Sequence, residues 1–201
     1  MVEVISALAG HLTPGRHGIE RKGEGVIFRE VTGRDLVQVA WWQDTGAIVK
    51  STLSRELGLA FGDSPRRVSE SAQTTVFPVA PDKLWIAAPL AAGLHARLTA
   101  AIPAEQGVVT ELGHSRTVMR ISGASTRDVL ARNFAIDLDP SVFPPGSFAS
   151  SSMHHTGAML HYVRDLGAAP VIDLYLLRTF ALSLFEGLCV NADGFGYKIE
   201  S

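Results

Sequence analysis

The hydrophobic period of this chain switches between two and four several times along its length, which restricts it to folds in which helices pack on strands. Leu36 to Trp42 reads as a strand with Val37, Val39 and Trp41 on one face. Asp44 then caps a helix whose buried stripe is Val49, Leu53 and Leu57, and Gly58, Gly62 and Pro65 close it into a loop carrying Asp63, Ser64, Arg66 and Arg67. Thr74 to Val79 and Lys83 to Ala88 are short strands joined at the turn Pro81-Asp82. Pro89 opens a second helix with Leu90, Leu94 and Leu98 at four-residue spacing, and Val108 to Leu112 is a further strand. Strand, helix, strand, strand, helix, strand is the split βαβ, or ferredoxin-like, order.

The second half repeats that order loosely. Arg116 to Ser122 alternates, with Thr117, Met119 and Ile121 on one face, and stops at Gly123. Ser125 and Asp128 fit a helix start, with Val129, Leu130 and Phe134 as its apolar stripe. Strands are expected at Ser147 to Met153, Ala158 to Val163 and Val171 to Leu176. Thr179 to Leu188 reads as a helix and Phe195 to Ile199 as a closing strand. The expectation is therefore an α+β chain with two ferredoxin-like split βαβ units in tandem, 34–112 and 113–201. Residues 1–33 precede them as an N-terminal arm. Apart from the apolar piece Val4 to Ala9, that segment is rich in Gly, His and charge (His11, Pro14, Gly15, Arg16, His17, Arg21, Lys22, Gly23), so it reads either as a solvated tail or as an arm packed on a partner.

Composition excludes several function classes. Eighteen Lys plus Arg against twenty Asp plus Glu leave a formal charge of -2, so no basic field exists to hold nucleic acid or an anionic membrane. The mean hydropathy is slightly positive, yet no apolar run approaches the ~18 residues of a membrane span. That surplus of apolar residues points to a partner subunit. A single cysteine, Cys189, forms no internal disulfide, and Met1-Val2-Glu3 lacks the basic start of a signal peptide, so the expected location is cytoplasmic.

Catalytic chemistry is hard to find. There is no GxxxxGK[ST] loop, and no GxGxxG lies between an expected strand and helix. His154, His155 and His161 suggest a metal, but adjacent histidines on an extended segment point to opposite faces, and a third and fourth ligand are missing. His95 sits at the edge of its helix stripe and reads as structural. Ser147, Ser150, Ser151 and Ser152 lack a GxSxG elbow, and Cys189 has no electropositive neighbour in sequence. Asp137 and Asp139 are the paired acids; Asp139 before Pro140 is a turn former, against the acid-base role that two carboxylates on one side would allow. No catalytic, cofactor-binding or metal-binding residue is assigned. Arg66, Arg67, Arg116 and Arg178, with the bidentate reach of guanidinium, and Asp137 are candidate interface residues. Trp42, pointing away from the Val37 face, is a candidate interface anchor, whereas Trp41 reads as core.

Several short motifs in order resemble one family. They are Gly113-His114-Ser115-Arg116, Ser122-Gly123, Asp128-Val129-Leu130, Ile136-Asp137-Leu138, Phe143-Pro144-Pro145-Gly146, and Asp173-Leu174-Tyr175 with Arg178-Thr179-Phe180-Ala181. With Pro65-Arg66-Arg67-Val68-Ser69-Glu70 and Asp82-Lys83-Leu84-Trp85 they look like the gamma subunit of heterotetrameric sarcosine oxidase over the last two-thirds of the chain. The resemblance implies a fold related to the folate-binding glycine-cleavage T-protein. It also implies a non-catalytic subunit that stabilises a large alpha subunit, in a complex with beta and delta subunits. FAD, FMN, NAD and tetrahydrofolate would then belong to the other subunits, and the complex would demethylate sarcosine oxidatively to glycine with hydrogen peroxide formed. A stand-alone folate-binding or aminomethyltransferase-like protein is the alternative, for which Asp137 is the nearby carboxylate.

Overall fold

The computed structural model describes residues 5–20, 25–62 and 64–200, so the expectations that fell on Met1 to Val4, Arg21, Lys22, Gly23 and Asp63 lie outside the described residues. The elements in chain order are β1 (Gly15–His17), β2 (Val26–Glu30), β3 (Arg34–Trp41), α1 (Gly46–Leu57), β4 (Ser69–Glu70), β5 (Thr75–Ala80), β6 (Lys83–Pro89), α2 (Leu94–Ala101) and β7 (Gly107–Glu111). Then follow β8 (Arg116–Ser122), α3 (Thr126–Ala131), β9 (Phe148–Met153), β10 (Thr156–Leu166), β11 (Ala169–Leu177), α4 (Ala181–Ala192) and β12 (Tyr197–Glu200). They form two units. Gly33–Gly113 is one; the other combines the described residues up to Thr32 with those from His114 onward.

The Gly33–Gly113 unit carries a five-stranded sheet in the order β4-β5-β6-β3-β7, with antiparallel neighbours throughout. Without the two-residue edge strand β4, that is the split βαβ order with α1 and α2 as crossovers. The period-2 pattern of β3 places Val37, Val39 and Trp41 in the core, where they meet Val49 and Leu53 of α1 and Leu94 and Leu98 of α2. Two helix starts differ from expectation. The residue before α1 is Thr45, whose hydroxyl accepts the Trp42 N–H at 3.0 Å and donates to the Trp42 carbonyl, so it ties the strand end and caps no helical amide. After Pro89 the chain makes only a 3-10 turn; Gly93 is left-handed (φ 56°), α2 begins at Leu94, and Leu90 stays half exposed.

The second unit holds a seven-stranded sheet in the order β1-β12-β2-β8-β11-β10-β9. Its strands β8, β10, β11 and β12, linked through α3 and α4, keep the split βαβ succession, but β2 is interposed between β12 and β8 and β9 is added outside β10. Two contiguous ferredoxin-like units in tandem therefore do not describe the chain, because the smaller unit interrupts the larger one between β2 and β8. Nor do the described residues of the segment 1–33 form an arm. Leu8 is fully buried, β1 pairs with β12, and β2 lies parallel to β12 and antiparallel to β8. Local composition hid this: Val26-Ile27-Phe28 is only three apolar residues long, and its partners are supplied by distant sequence.

Packing anchors β2 firmly. Val26 and Phe28 are fully buried, and the Phe28 ring meets Phe185 edge-on at 5.7 Å and Tyr197 at 5.6 Å. Near its start the backbones touch. The Gly25 carbonyl accepts the Ser125 N–H at 2.8 Å, and a Cβ on Gly123 (φ 115°) would lie 2.6 Å from that same oxygen, so glycine is required there both for conformation and for room. Phe28→Ala is expected to cost about 3–5 kcal/mol in a urea melt, since it empties a buried aromatic site. A change under about 0.5 kcal/mol would return the segment to the status of a surface arm.

Candidate functional site

The side chains with chemistry separate by what they already do in the fold. Arg116 begins β8 and pairs in register with Leu177; its guanidinium donates to the Ser115 carbonyl at 3.1 Å, and partial burial pushes its pKa down. Arg178, just past β11, donates from Nη2 to the Ile5 carbonyl at 2.5 Å, so it clamps the first described residues. Asp137 is exposed in the loop after α3, where Oδ1 accepts the Asp139 N–H at 2.9 Å. Asp139 accepts from both the N–H and the hydroxyl of Ser141, and those hydrogen bonds hold its carboxyl below the ordinary range. Both acids serve turns. Arg116 and Arg178 lie at the same end of the β8–β11 pair.

In the Gly33–Gly113 unit, Arg66 and Arg67 are exposed on the loop between α1 and β4. Trp42 is 49% exposed, and its indole N–H donates to the Ala104 carbonyl at 2.9 Å. The same unit contains a pocket of about 610 Å³. Trp41, Phe61 and Leu84 line it together with Pro65, Pro78 and Pro81. Its polar rim is Lys50, Ser51 and Ser54 of α1 with Ser64 of the following loop. Lys50 Nζ stands 5.5 Å from the Trp41 ring centroid, a cation over an aromatic face. Gly46 is fitted to the same ring, because a Cβ there would sit 2.7 Å from the indole nitrogen. Sequence reasoning assigned Trp41 to the core and passed over Lys50. The available signal was that Lys50, Ser51 and Ser54 fall off the Val49–Leu53–Leu57 stripe of α1.

The histidines expected on an extended segment form a turn instead. Met153 pairs with Thr156, leaving His154 (φ 47°) and His155 (φ 64°) as a two-residue hairpin loop with both residues left-handed. His161 is buried within β10, opposite Phe148 and Asp173. Among the described residues no group of three or more His, Cys, Asp or Glu is arranged to hold a metal. Ser147 is buried, and Ser150, Ser151 and Ser152 alternate along β9.

One ion pair was not read from the sequence. Asp173 is buried in β11, and Arg120 of β8 grips both of its oxygens, at 2.7 and 2.8 Å. Hydrogen bonding to Asp173 raises the Arg120 pKa against the opposing effect of burial. Asp173→Ala would strand the cation, so a loss of about 3 kcal/mol is expected by urea titration; an unchanged midpoint would show that the pair adds nothing. Burial also pushes the Cys189 thiol up to about 11. The thiol therefore stays protonated until the solution nears that pH, and its reaction with Ellman's reagent at pH 8 should run about two orders of magnitude slower than that of a free thiol. Reaction at the free-thiol rate would contradict that environment.

With the geometry described, the comparisons fix the fold first. A chain of the heterotetrameric sarcosine oxidase from Corynebacterium sp. U-96, solved with pyrrole 2-carboxylate, superposes with a TM-score of 0.74 at 20% identity over 86% of this chain and 87% of that one. The glycine cleavage system aminomethyltransferase T from Bartonella henselae superposes with a TM-score of 0.61 at 13% identity, over 88% of this chain and 48% of that one. At such identities these likenesses show the fold alone, an α+β architecture shared with both. No family model matches the sequence. The chain is similar to sarcosine oxidase gamma subunits: it is 29% identical to the one from Arthrobacter sp over 144 residues, 70% of this chain and 71% of that protein. It is 28% identical to the gamma subunit from Corynebacterium sp. (strain P-1) over 146 residues, with the same coverage.

Proposed function

We propose that this chain is the gamma-type subunit of a heterotetrameric sarcosine oxidase, a non-catalytic component that stabilises the large alpha subunit. The observation that carries the reading is its similarity, over 70% of its length, to two proteins named sarcosine oxidase subunit gamma. The roles these side chains take in the fold support it: Asp137 and Asp139 serve turns, Cys189 is held as a thiol, and Arg116 and Arg178 bind backbone carbonyls. In this reading the alpha subunit is the direct partner, and beta and delta subunits complete the complex. FAD, FMN, NAD and tetrahydrofolate belong to those other subunits, sarcosine is demethylated to glycine with hydrogen peroxide formed, and the assembly is cytoplasmic. Among the described residues no helix is long and apolar enough to cross a membrane. The exposed Trp42, Arg66 and Arg67 supply the partner contacts, with Arg116, Asp137 and Arg178 shaping the surface of the other unit.

Co-expression with the three other subunits tests this reading. A four-component flavin-containing complex should form, and omitting this chain should lower the yield of intact alpha subunit and the sarcosine-dependent peroxide output together. Assembly and activity that are indifferent to its omission, or tight flavin binding by the isolated chain, would sink the proposal.

A second reading, a stand-alone folate-binding or aminomethyltransferase-like protein, draws on the superposition with aminomethyltransferase T. It requires a carboxylate for the pterin, and Asp137 is already committed to a turn and exposed. Calorimetric titration of the isolated chain with tetrahydrofolate should give no binding heat; a saturable signal that Asp137→Asn abolishes would favour this second reading.

A further inference from the structure

We infer that the pocket of the Gly33–Gly113 unit is a binding site for a small organic carboxylate with a flat apolar body. The inference concerns that unit alone and stands apart from the gamma-subunit reading. The volume of about 610 Å³ falls within the range of small-molecule sites and leaves room for a fused-ring ligand. Its walls are Trp41, Phe61, Leu84 and three prolines, rigid surfaces on which a planar ring loses little freedom when it stacks. Trp41 is held in place on two sides, by the β3 core and by Gly46, whose missing side chain lets the start of α1 close against the indole edge.

Polarity sets the other half of the ligand. Among the described lining residues Lys50 carries the only charge, and it is positive. Lys50 is exposed, and its ammonium stands 5.5 Å from the Trp41 ring centroid, so a ring stacked nearby would place a carboxylate within its reach. Ser51 and Ser54 lie on the same helix, and Ser64 faces the pocket from the loop, adding hydroxyl donors that suit an oxyanion. A cation, a neutral polyol or a nucleoside would leave Lys50 without a counter-charge.

Titration of the intact chain with 2-naphthoate, followed by two-dimensional NMR, tests the site. Saturable shifts confined to residues of this pocket are expected, with Kd at or below about 1 mM. The uncharged 2-naphthamide, and separately the variant Lys50→Gln, should each weaken binding by about tenfold or more, while Lys198→Gln in the other unit should not. Circular dichroism and a thermal melt would verify that Lys50→Gln is folded. No saturation, equal affinity for the acid and the amide, or equal loss with both lysine variants would overturn the proposal. So would binding that vanishes once the chain is assembled with partner subunits, because the pocket would then belong to a protein contact.

Discussion

The larger unit depends on one early strand being held between two others, one from the middle of the chain and one from its far end. Val26 to Arg29 run parallel to Tyr197 to Glu200 on one side, and Ile27 to Glu30 run antiparallel to Met119 to Ser122 on the other. Without β2 the ladder between β12 and β8 is broken, and the apolar faces of α4 and the sheet lose Phe28 between them. The fit tolerates no added bulk near the strand's start: a Cβ on Gly25 would lie 2.3 Å from the Phe195 carbonyl oxygen. Backbone contact of this kind cannot be relieved by rotating a side chain, so it fixes where β2 sits along its neighbours as well as whether it sits there.

That arrangement sorts the polar residues. In the larger unit the conspicuous charges are engaged internally, with Arg120 on Asp173, Arg178 on the Ile5 carbonyl and Asp137 on its own turn. In the smaller unit Trp42, Lys50, Arg66 and Arg67 remain exposed, and the pocket lies among residues of β3, α1 and the β5–β6 hairpin. Exposed aromatic and cationic side chains beside a pocket are thus a feature of the smaller unit.

Much of this was legible wherever the governing interactions are local. The alternation of Thr117, Met119 and Ile121 gave β8 at its observed bounds, and the turn Pro81-Asp82 gave the β5–β6 hairpin, since a strand's face and a tight turn are written in adjacent residues. The role of β2 was not legible, because three apolar residues beside Gly25 and Arg29 become a central strand only through partners about 90 and 170 residues away. His154-His155 misled for a related reason: the hairpin register forces both residues left-handed, a demand set by strand pairing rather than by histidine. Of the candidate site, Trp42, Arg66 and Arg67 were visible as residues with no core role. The pocket was not, since each of its walls has a sufficient structural explanation where it stands in sequence.

The separation of β2 from β12 also orders events during synthesis. A ribosome adds roughly 5–20 residues per second, so β2 leaves it about 10–30 s before its parallel partner exists. In that interval all strands and both helices of the Gly33–Gly113 unit have been made and can fold. Until β8 is made, Val26, Ile27 and Phe28 have neither neighbour, and the side of β2 that meets β12 stays open to the end of synthesis, a natural stopping place for a chaperone.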